Sequence, residues 1–194
     1  MKSDWKHMMR APWYSSYEDH NFGELFYALM RIYQPKKVVE LGTKAGYSAY
    51  HMARGLQSNG VGTLDCYDLW EHYKFTSVRK SIAEKNLKKF KDIVKLTIGD
   101  VMSVAKKYKE VDILHIDLGN HAEMMDALIP SWIKKVRQLI IIEGGSLERD
   151  KVAWALKYKK KPLAPWLKRL QKKNKNMQYI TVNAFPSLTL ISNL

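Results

Sequence analysis

Hydrophobic residues along the chain form two patterns. Some form short apolar runs, and others recur at helical spacing over longer stretches. A helix is predicted near 21–34, because Asn21 and Glu24 have the spacing of a capping box and the apolar residues after them fall on one helical face. Pro35 ends it, since proline cannot continue a helix.

After this helix, short apolar runs alternate with further helical stretches. Strands are predicted at 37–41, 63–68, 94–98, 111–117, 137–143, 177–184 and 188–192. Helices are predicted at 47–57, 74–90 and 101–108, and around 125–133. The run Leu-Ile-Ile-Ile in the fifth strand is typical of a strand buried on both faces.

Five strand–helix repeats followed by a hairpin indicate an α/β fold with a Rossmann-like, doubly wound sheet of seven strands. The sheet is expected to be mostly parallel with a C-terminal antiparallel hairpin. The 194 residues suit one domain, predicted at 21–194, with 1–20 as an N-terminal strap or lid. Ligands of such sheets bind beyond the carboxyl ends of the strands. The segments to consider are therefore 40–48, 68–72, 99–101, 117–121 and 143–146.

Composition narrows the classes of protein. A net charge of +14 suggests an anionic partner, and nucleic acid, a membrane surface and a phosphorylated small molecule all remain open. The single cysteine, Cys66, excludes an internal disulfide. No apolar run reaches the roughly 18 residues needed to span a bilayer, so no membrane insertion is expected. The start, MKSDWKHMMR, has no apolar signal-peptide region, and we expect a cytoplasmic protein.

Two of these strand ends carry candidate ligand-binding residues. Gly42 lets the backbone approach a ligand after the first strand, and the following helix start offers N–H groups to an anion. The spacing is not that of a dinucleotide fingerprint, so a plain strand–helix turn is an alternative. Asp68, at the end of the second strand, suits the hydroxyls of a ribose, although a surface acid is again an alternative. Together the two positions indicate an adenosine-containing ligand.

The stretch VVELGTKAGYSAYHMARGL (residues 38–56) resembles the first motif of the class I S-adenosylmethionine-dependent methyltransferases. It is most similar to the O-methyltransferases of the catechol and caffeoyl-CoA type, whose motif has the form E-L-G-x-x-x-G-Y-S. The order of strands fits that fold over about 20–194. The segment 116–121, IDLGNH, also resembles the end of the fourth strand in macrocin-type and cephalosporin-hydroxylase-like methyltransferases.

This resemblance implies S-adenosylmethionine as cofactor and assigns its contacts by motif position. The residues implied are Glu40, Gly42, Thr43 and Gly46 for the methionine part, Tyr47 and Ser48 for its carboxylate, Asp68 and Leu69 for the ribose, Asp100 and Val101 for the adenine, and Asp117 beside the transferred methyl group.

The catechol-type relatives also use Mg²⁺, which the resemblance places on Asp117 and Glu143. Hard oxygen ligands suit that ion, but the third ligand position is Gly144, which has no side chain. Asn120 stands where these relatives have a lysine base. His121 is the substitute, because a free histidine side chain, with a pKa of about 6.5, can accept a hydroxyl proton at neutral pH; a polar cap on the next helix is its alternative role.

The resemblance implies methyl transfer to a hydroxyl of a small molecule, such as a sugar or a natural-product precursor. One alternative is a nucleic-acid methyltransferase, since the basic segment 157–175 carries interleaved aromatic residues. A solvated helix pair would explain that segment equally well. A catalytically degenerate cofactor-binding protein is another alternative, given Gly144 and Asn120. A homodimer is left open.

Overall fold

Seven strands form one sheet in a computed structural model that describes residues 13, 15–76 and 78–193. They are β1 (Lys37–Leu41), β2 (Thr63–Asp68), β3 (Val94–Ile98), β4 (Val111–Ile116), β5 (Val136–Glu143), β6 (Gln178–Val182) and β7 (Leu188–Ser192). Their order is β3-β2-β1-β4-β5-β7-β6, and β1 to β5 are parallel. β7 pairs antiparallel with both β5 and β6. The predicted α/β fold with its terminal hairpin is confirmed.

The helices lie on both faces of this sheet. They are α1 (Phe22–Tyr33), α2 (Tyr47–Asn59), α3 (Lys80–Leu87), α4 (Val101–Val104), α5 (Ala122–Leu128), α6 (Ala153–Lys157) and α7 (Leu163–Lys173). None of them is long and apolar enough to cross a bilayer.

Two helices are shorter than the sequence predicts. The helix predicted at 74–90 begins only at Lys80, where the Glu71 carboxylate accepts the backbone N–H at 2.9 Å. The helix predicted at 101–108 changes to a 3-10 turn after Val104. It stops because Tyr108 is extended and donates its hydroxyl to Asp65 at 2.6 Å, which ties the chain to β2.

The predicted capping box of α1 does not form. Asn21 adopts a left-handed conformation with φ of 52°, and its side chain makes no capping hydrogen bond. Glu24 instead pairs with Arg54 of α2 at 2.9 Å. The helix is held by its apolar face, which packs on α2 and on the sheet, so tertiary packing fixes its position.

A close approach at Gly42 brings the carboxyl ends of the central strands together. Gly42 has φ of +89°, and a Cβ there would lie 1.9 Å from the carbonyl oxygen of Asp117. The Asp117 N–H donates to Leu41 O at 2.9 Å, and Ile116 of β4 is in register with Ile142 of β5. The residues that follow β1, β4 and β5 therefore meet at one place.

Candidate active site

A small cleft, partly open to solvent, lies at the carboxyl ends of β1 and β4. The lining residues are Trp13, Ser15, Ser16, Thr43, Lys44, Ala45, Tyr47, Ser48 and Asp117. Four predicted site residues (Thr43, Tyr47, Ser48 and Asp117) thus share one cleft with the described part of the N-terminal segment.

Glu40 lies behind this cleft in a buried polar network. Its Oε1 accepts the Ser48 hydroxyl at 2.5 Å and lies 3.0 Å from His115 Nδ1. The Tyr17 hydroxyl lies 3.4 Å from His115 Nε2. The network joins β1, β4, the start of α2 and the N-terminal segment, so Glu40 holds the elements that shape the cleft.

Two buried oxygens near the cleft, Glu40 Oε2 and Thr43 Oγ1, have no nitrogen or oxygen partner among the described residues, although both side chains lie beside the buried Cys66 thiol. An unpartnered buried polar atom costs free energy, which a ligand atom can recover. Tyr47 and Ser48 begin α2, where Gly46 provides no capping side chain. The start of α2 can therefore receive a polar or anionic group.

Asp68 fixes the turn after β1. One carboxylate oxygen accepts the backbone N–H groups of Thr43 and Lys44, each at 2.8 Å, and the other accepts that of Trp70 at 2.8 Å. The buried Trp70 indole in turn donates to Lys44 O at 2.8 Å. Asp68 thus has a structural role that the sequence does not predict. Its ribose contact, with that of Leu69, stays a prediction.

The residues predicted to seat adenine lie at the next strand end. Gly99 N donates to Asp68 O, which brings the segment after β3 beside the end of β2. Asp100 caps α4 through the Met102 N–H at 3.0 Å, and Val101 packs against the core. They are not among the described residues that line the cleft, and their adenine contact stays a prediction.

Asp117 is a half-buried carboxyl at the end of β4. Burial, with the neighbouring Glu143 and Glu40 carboxylates, raises its pKa to about 7, although His115 and Lys44 act in the opposite direction. A carboxyl that titrates near neutral pH is suited to accept a proton from a substrate hydroxyl.

Glu143 is engaged by an internal cation. Arg149 Nε and Nη2 donate to the two Glu143 carboxylate oxygens at 2.6 and 2.8 Å. Asn120 Nδ2 lies 3.3 Å from Glu143 Oε2 and also donates to Glu143 O at 2.8 Å. Glu143, Asn120 and Arg149 are all buried.

These contacts bear on the predicted magnesium site on Asp117 and Glu143. The positive guanidinium pairs with both Glu143 oxygens and so disfavours a second cation there, and Gly144 supplies no third ligand. No group of three or more His, Cys, Asp or Glu among the described residues could hold a metal ion. The residues present therefore do not fit Mg²⁺.

His121 begins α5, as its alternative role requires. Its Nδ1 lies 2.8 Å from Glu123 Oε2 and 3.4 Å from the Met124 N–H. One nitrogen cannot donate and accept at once, and the shorter contact favours Nδ1–H donating to Glu123. The ring lies edge-on to Trp154 at 6.4 Å and is not among the described groups that line the cleft. Its role as a base stays a prediction.

Sequence reasoning missed Tyr17, His115 and Arg149. A histidine inside the apolar run of β4 was one available signal, because it requires a buried polar partner. Arg149 gave no such signal, since its pairing with Glu143 depends on the path of the loop after β5.

The basic segment 157–175 contains α7. Leu163, Trp166 and Leu167 form the buried face of this helix, and the Trp166 indole donates to Asp126 at 2.7 Å. Trp166 is therefore unavailable to stack on a base, whereas the lysine and arginine side chains of α7 face solvent. This arrangement agrees with a solvated helix that has an apolar inner face.

A seven-stranded sheet in this order, with a glycine turn after β1 and an acid after β4, defines a class I methyltransferase architecture. A family model described as a methyltransferase domain matches residues 39–143, which is more than half of the chain. The chain belongs to this methyltransferase family. Among curated proteins, none matches the sequence.

Solved structures share the fold at low sequence identity. The SAH-bound methyltransferase PaMTH1 from Podospora anserina has a TM-score of 0.70 and 16% identity, covering 97% of this chain and 85% of its own. An O-methyltransferase from Bacillus cereus in complex with SAH has a TM-score of 0.65 and 16% identity, covering 99% and 91%. The O-methyltransferase TomG from Streptomyces achromogenes, in complex with SAM, has a TM-score of 0.63 and 17% identity, covering 88% and 78%.

Proposed function

We propose that this protein transfers a methyl group from S-adenosylmethionine to a hydroxyl of a small-molecule acceptor. The proposal rests on the position of Asp117, which lies in the same cleft as the turn after β1, in a chain that belongs to a methyltransferase family. Two similar folds carry SAH and one carries SAM, and two of the three are named O-methyltransferases.

The described residues fit the cofactor. The unpartnered Thr43 hydroxyl and the start of α2 suit the polar methionine part, and the carboxylates of Asp117, Glu143 and Glu40 suit a positive charge on sulfur. Asp68 keeps the turn in place through Thr43 and Lys44. Each carboxylate oxygen has two lone pairs, so this role leaves room for a ribose hydroxyl.

S-adenosylmethionine supplies a methyl group on a positively charged sulfur; the acceptor oxygen forms the new bond to carbon, and the carbon–sulfur electron pair stays on sulfur. The chain must then align the acceptor and remove its proton. We assign proton removal to Asp117, because it lines the cleft and titrates near neutral pH. His121 is the competing base, with Glu123 orienting its ring.

The N-terminal segment is proposed to act as a strap over this site. Trp13, Ser15 and Ser16 line the cleft, and Tyr17 is fully buried beside His115. Residues 1–12 and Tyr14, which belong to the predicted strap, lie outside the described residues. We also propose that the protein is cytoplasmic.

The first test is calorimetric titration of the protein with S-adenosylmethionine and with SAH. We expect saturable binding of both ligands, and no heat from either would overturn the proposed function. Methyl transfer is then assayed with catechols, sugars and RNA as acceptors. Transfer to RNA alone would instead support a nucleic-acid methyltransferase, for which the basic outer face of α7 supplies positive charge.

A second test decides whether Asp117 or His121 is the base. Asp117→Asn should lower turnover by about 10²-fold or more, whereas His121→Gln should change it by less than about threefold. Both variants should still bind SAH, which confirms that the fold is intact. The reverse order of effects would assign the base to His121.

A further inference from the structure

The Glu143–Arg149 pair lies beside the acid that we assign as the base. Ile116 and Ile142 are in register, so Asp117 and Glu143 follow neighbouring parallel strands, which are about 4.8 Å apart. By two-residue alternation, both side chains point to the face of the sheet that carries His115 and Tyr17. Electrostatic interaction of Arg149 with Asp117 and Tyr17 agrees with this placement.

The conformation of the loop after β5 brings Arg149 back beside Glu143. Gly144 and Gly145 have φ of +105° and +104°, and a Cβ on Gly144 would lie 3.4 Å from Arg149 Cγ. The Ser146 hydroxyl accepts the Arg149 backbone N–H at 3.1 Å. The guanidinium also lies 5.5 Å from the ring centre of Trp154. Gly144 thus supplies no metal ligand, and its positive φ lets the chain turn so that Arg149 can reach Glu143.

The guanidinium keeps donors available after pairing with Glu143. Nε and Nη2 each donate to the carboxylate, whereas Nη1 donates to no described residue. The side chain is 10% exposed, and Arg149 is not among the described residues that line the cleft, so an acceptor oxygen at Nη1 must reach past Asp117 toward the end of β5. Arginine has five N–H donors in a fixed plane, and a two-point pair fixes the direction of the remaining ones.

We propose that Arg149 takes the place of a divalent cation in this enzyme and holds the acceptor oxygen through Nη1 while Asp117 removes its proton. The proposal rests on the methyltransferase function proposed above. Methyl transfer here then requires no metal ion. The positive guanidinium stabilises negative charge that develops on the acceptor oxygen, as hydrogen-bond donors do at other oxyanion sites.

The charges around the site are consistent with this role. Asp117, Glu143 and Glu40 supply three negative charges when ionised, and Arg149, Lys44 and the cofactor sulfur supply three positive charges. An added divalent ion would leave an excess of positive charge on partly desolvated groups, which is costly. The arginine therefore balances the site only when no metal is bound.

The wild-type protein gives the first test. Titration with Mn²⁺, followed by electron paramagnetic resonance, should show no site that depends on Asp117, and methyl transfer should be unchanged in EDTA. One Mn²⁺ bound per chain and lost in Asp117→Asn would overturn the proposal, as would loss of activity in EDTA. The Mn²⁺ result is independent of the cofactor, so absent cofactor binding would refute the proposed function alone.

Variants of Arg149 give the second test. Arg149→Ala removes the positive charge beside Glu143 and should lower kcat/KM for the acceptor by about 10²-fold or more, while the Kd for SAH changes by less than about threefold. A folded Arg149→Ala protein that methylates the acceptor as fast as the wild type would contradict the proposal. If Arg149→Ala fails to fold, the wild-type measurements and Arg149→Lys still decide the question.

Arg149→Lys keeps the charge but loses the two-point geometry. It should lower kcat/KM for the acceptor by about 10²-fold while the Kd for SAH changes by less than about threefold. Arg137→Ala is the matched control, since Arg137 forms an exposed pair with Glu110 at the opposite end of β5. Equal losses in the lysine and control variants would contradict a specific role for Arg149.

Discussion

At the scale of single residues, the chemistry depends on Asp117 and on what surrounds it. Burial and two neighbouring carboxylates raise its pKa to about 7, so the free protein holds it partly protonated at neutral pH. A positive sulfur nearby favours the ionised carboxylate and lowers that pKa again. Cofactor binding would thereby convert Asp117 into the form that accepts a proton.

This coupling predicts proton release on cofactor binding. At pH 7, S-adenosylmethionine should release a substantial fraction of a proton, whereas SAH, which lacks the positive sulfur, should release less. Calorimetry in buffers of different ionisation enthalpy measures the difference. Asp117→Asn should abolish it. Equal release by both ligands would show that the pKa of Asp117 does not respond to the sulfur charge.

A second residue-scale prediction concerns Gly42. Gly42→Ala should lower the free energy of unfolding by at least about 3 kcal/mol, because its Cβ would meet the Asp117 backbone at 1.9 Å and its φ is +89°. Gly60→Ala is the control: φ is +68° there, but nothing lies within 4 Å, so about 1 kcal/mol is expected. Urea denaturation gives both values, and similar losses would disprove the close approach.

At the scale of elements, the loop after β5 connects the site to α7. Two adjacent residues of the loop make these connections. Arg149 pairs with Glu143 in the site, and the Asp150 carboxylate accepts the N–H groups of Leu163 and Ala164, at the start of α7, at 2.6 and 2.9 Å. The start of α7 is thereby tied to the segment that positions the arginine. Loosening this helix start should affect the acceptor side of the cleft before the cofactor side.

Asp150→Ala tests this connection. It should lower the free energy of unfolding by about 1–2 kcal/mol, as loss of a helix cap does. KM for the acceptor should also rise, with little change in the Kd for SAH. Glu84→Ala, which removes an exposed i,i+4 pair with Lys80, is the control and should cost about 0.5 kcal/mol or less. A change in SAH affinity equal to that in acceptor KM would contradict the assignment.

The helices and strands also show which features of the fold and the site could be predicted from the sequence. The apolar runs identify the strands and their parallel order, because alternation and burial are local signals. The basic stretch 74–90 misleads, since its first residues include Phe75, Thr76 and Val78, which have low helix propensity, and the helix begins only at Lys80. The glycine turn and Asp117 follow from their positions at strand ends. Arg149 does not, because its pairing with Glu143 is set by the folded loop.

At the scale of the whole molecule, the question is whether the net charge of +14 forms a binding site for nucleic acid. On α7, Lys168, Arg169, Lys172 and Lys173 face solvent, whereas the aromatic Trp166 is buried under the helix. A nucleic-acid site of the stacking kind needs aromatic faces beside the charges. α7 supplies charge without an aromatic face of its own, and Tyr158 is the exposed aromatic residue of the basic segment, so this surface favours weak, salt-dependent attraction to polyanions over a methylation site.

Charge reversal tests this conclusion. Lys168→Glu/Lys172→Glu, one turn apart on the outer face of α7, should leave methyl transfer to a small hydroxyl acceptor within about twofold, because the acceptor site is formed by Asp117 and Arg149. Binding of single-stranded RNA, measured by fluorescence anisotropy, should be weak in the wild type and fall steeply between about 50 and 200 mM salt.

Lys88→Glu/Lys91→Glu makes the same change in net charge near β3, at the opposite edge of the sheet from β6. If net charge alone attracts RNA, the two double variants should weaken RNA binding about equally. Loss of methyl transfer in the α7 variant alone would instead show that the basic face receives the acceptor. The acceptor site proposed at Arg149 would then be wrong, while the assignment of Asp117 as the base would stand.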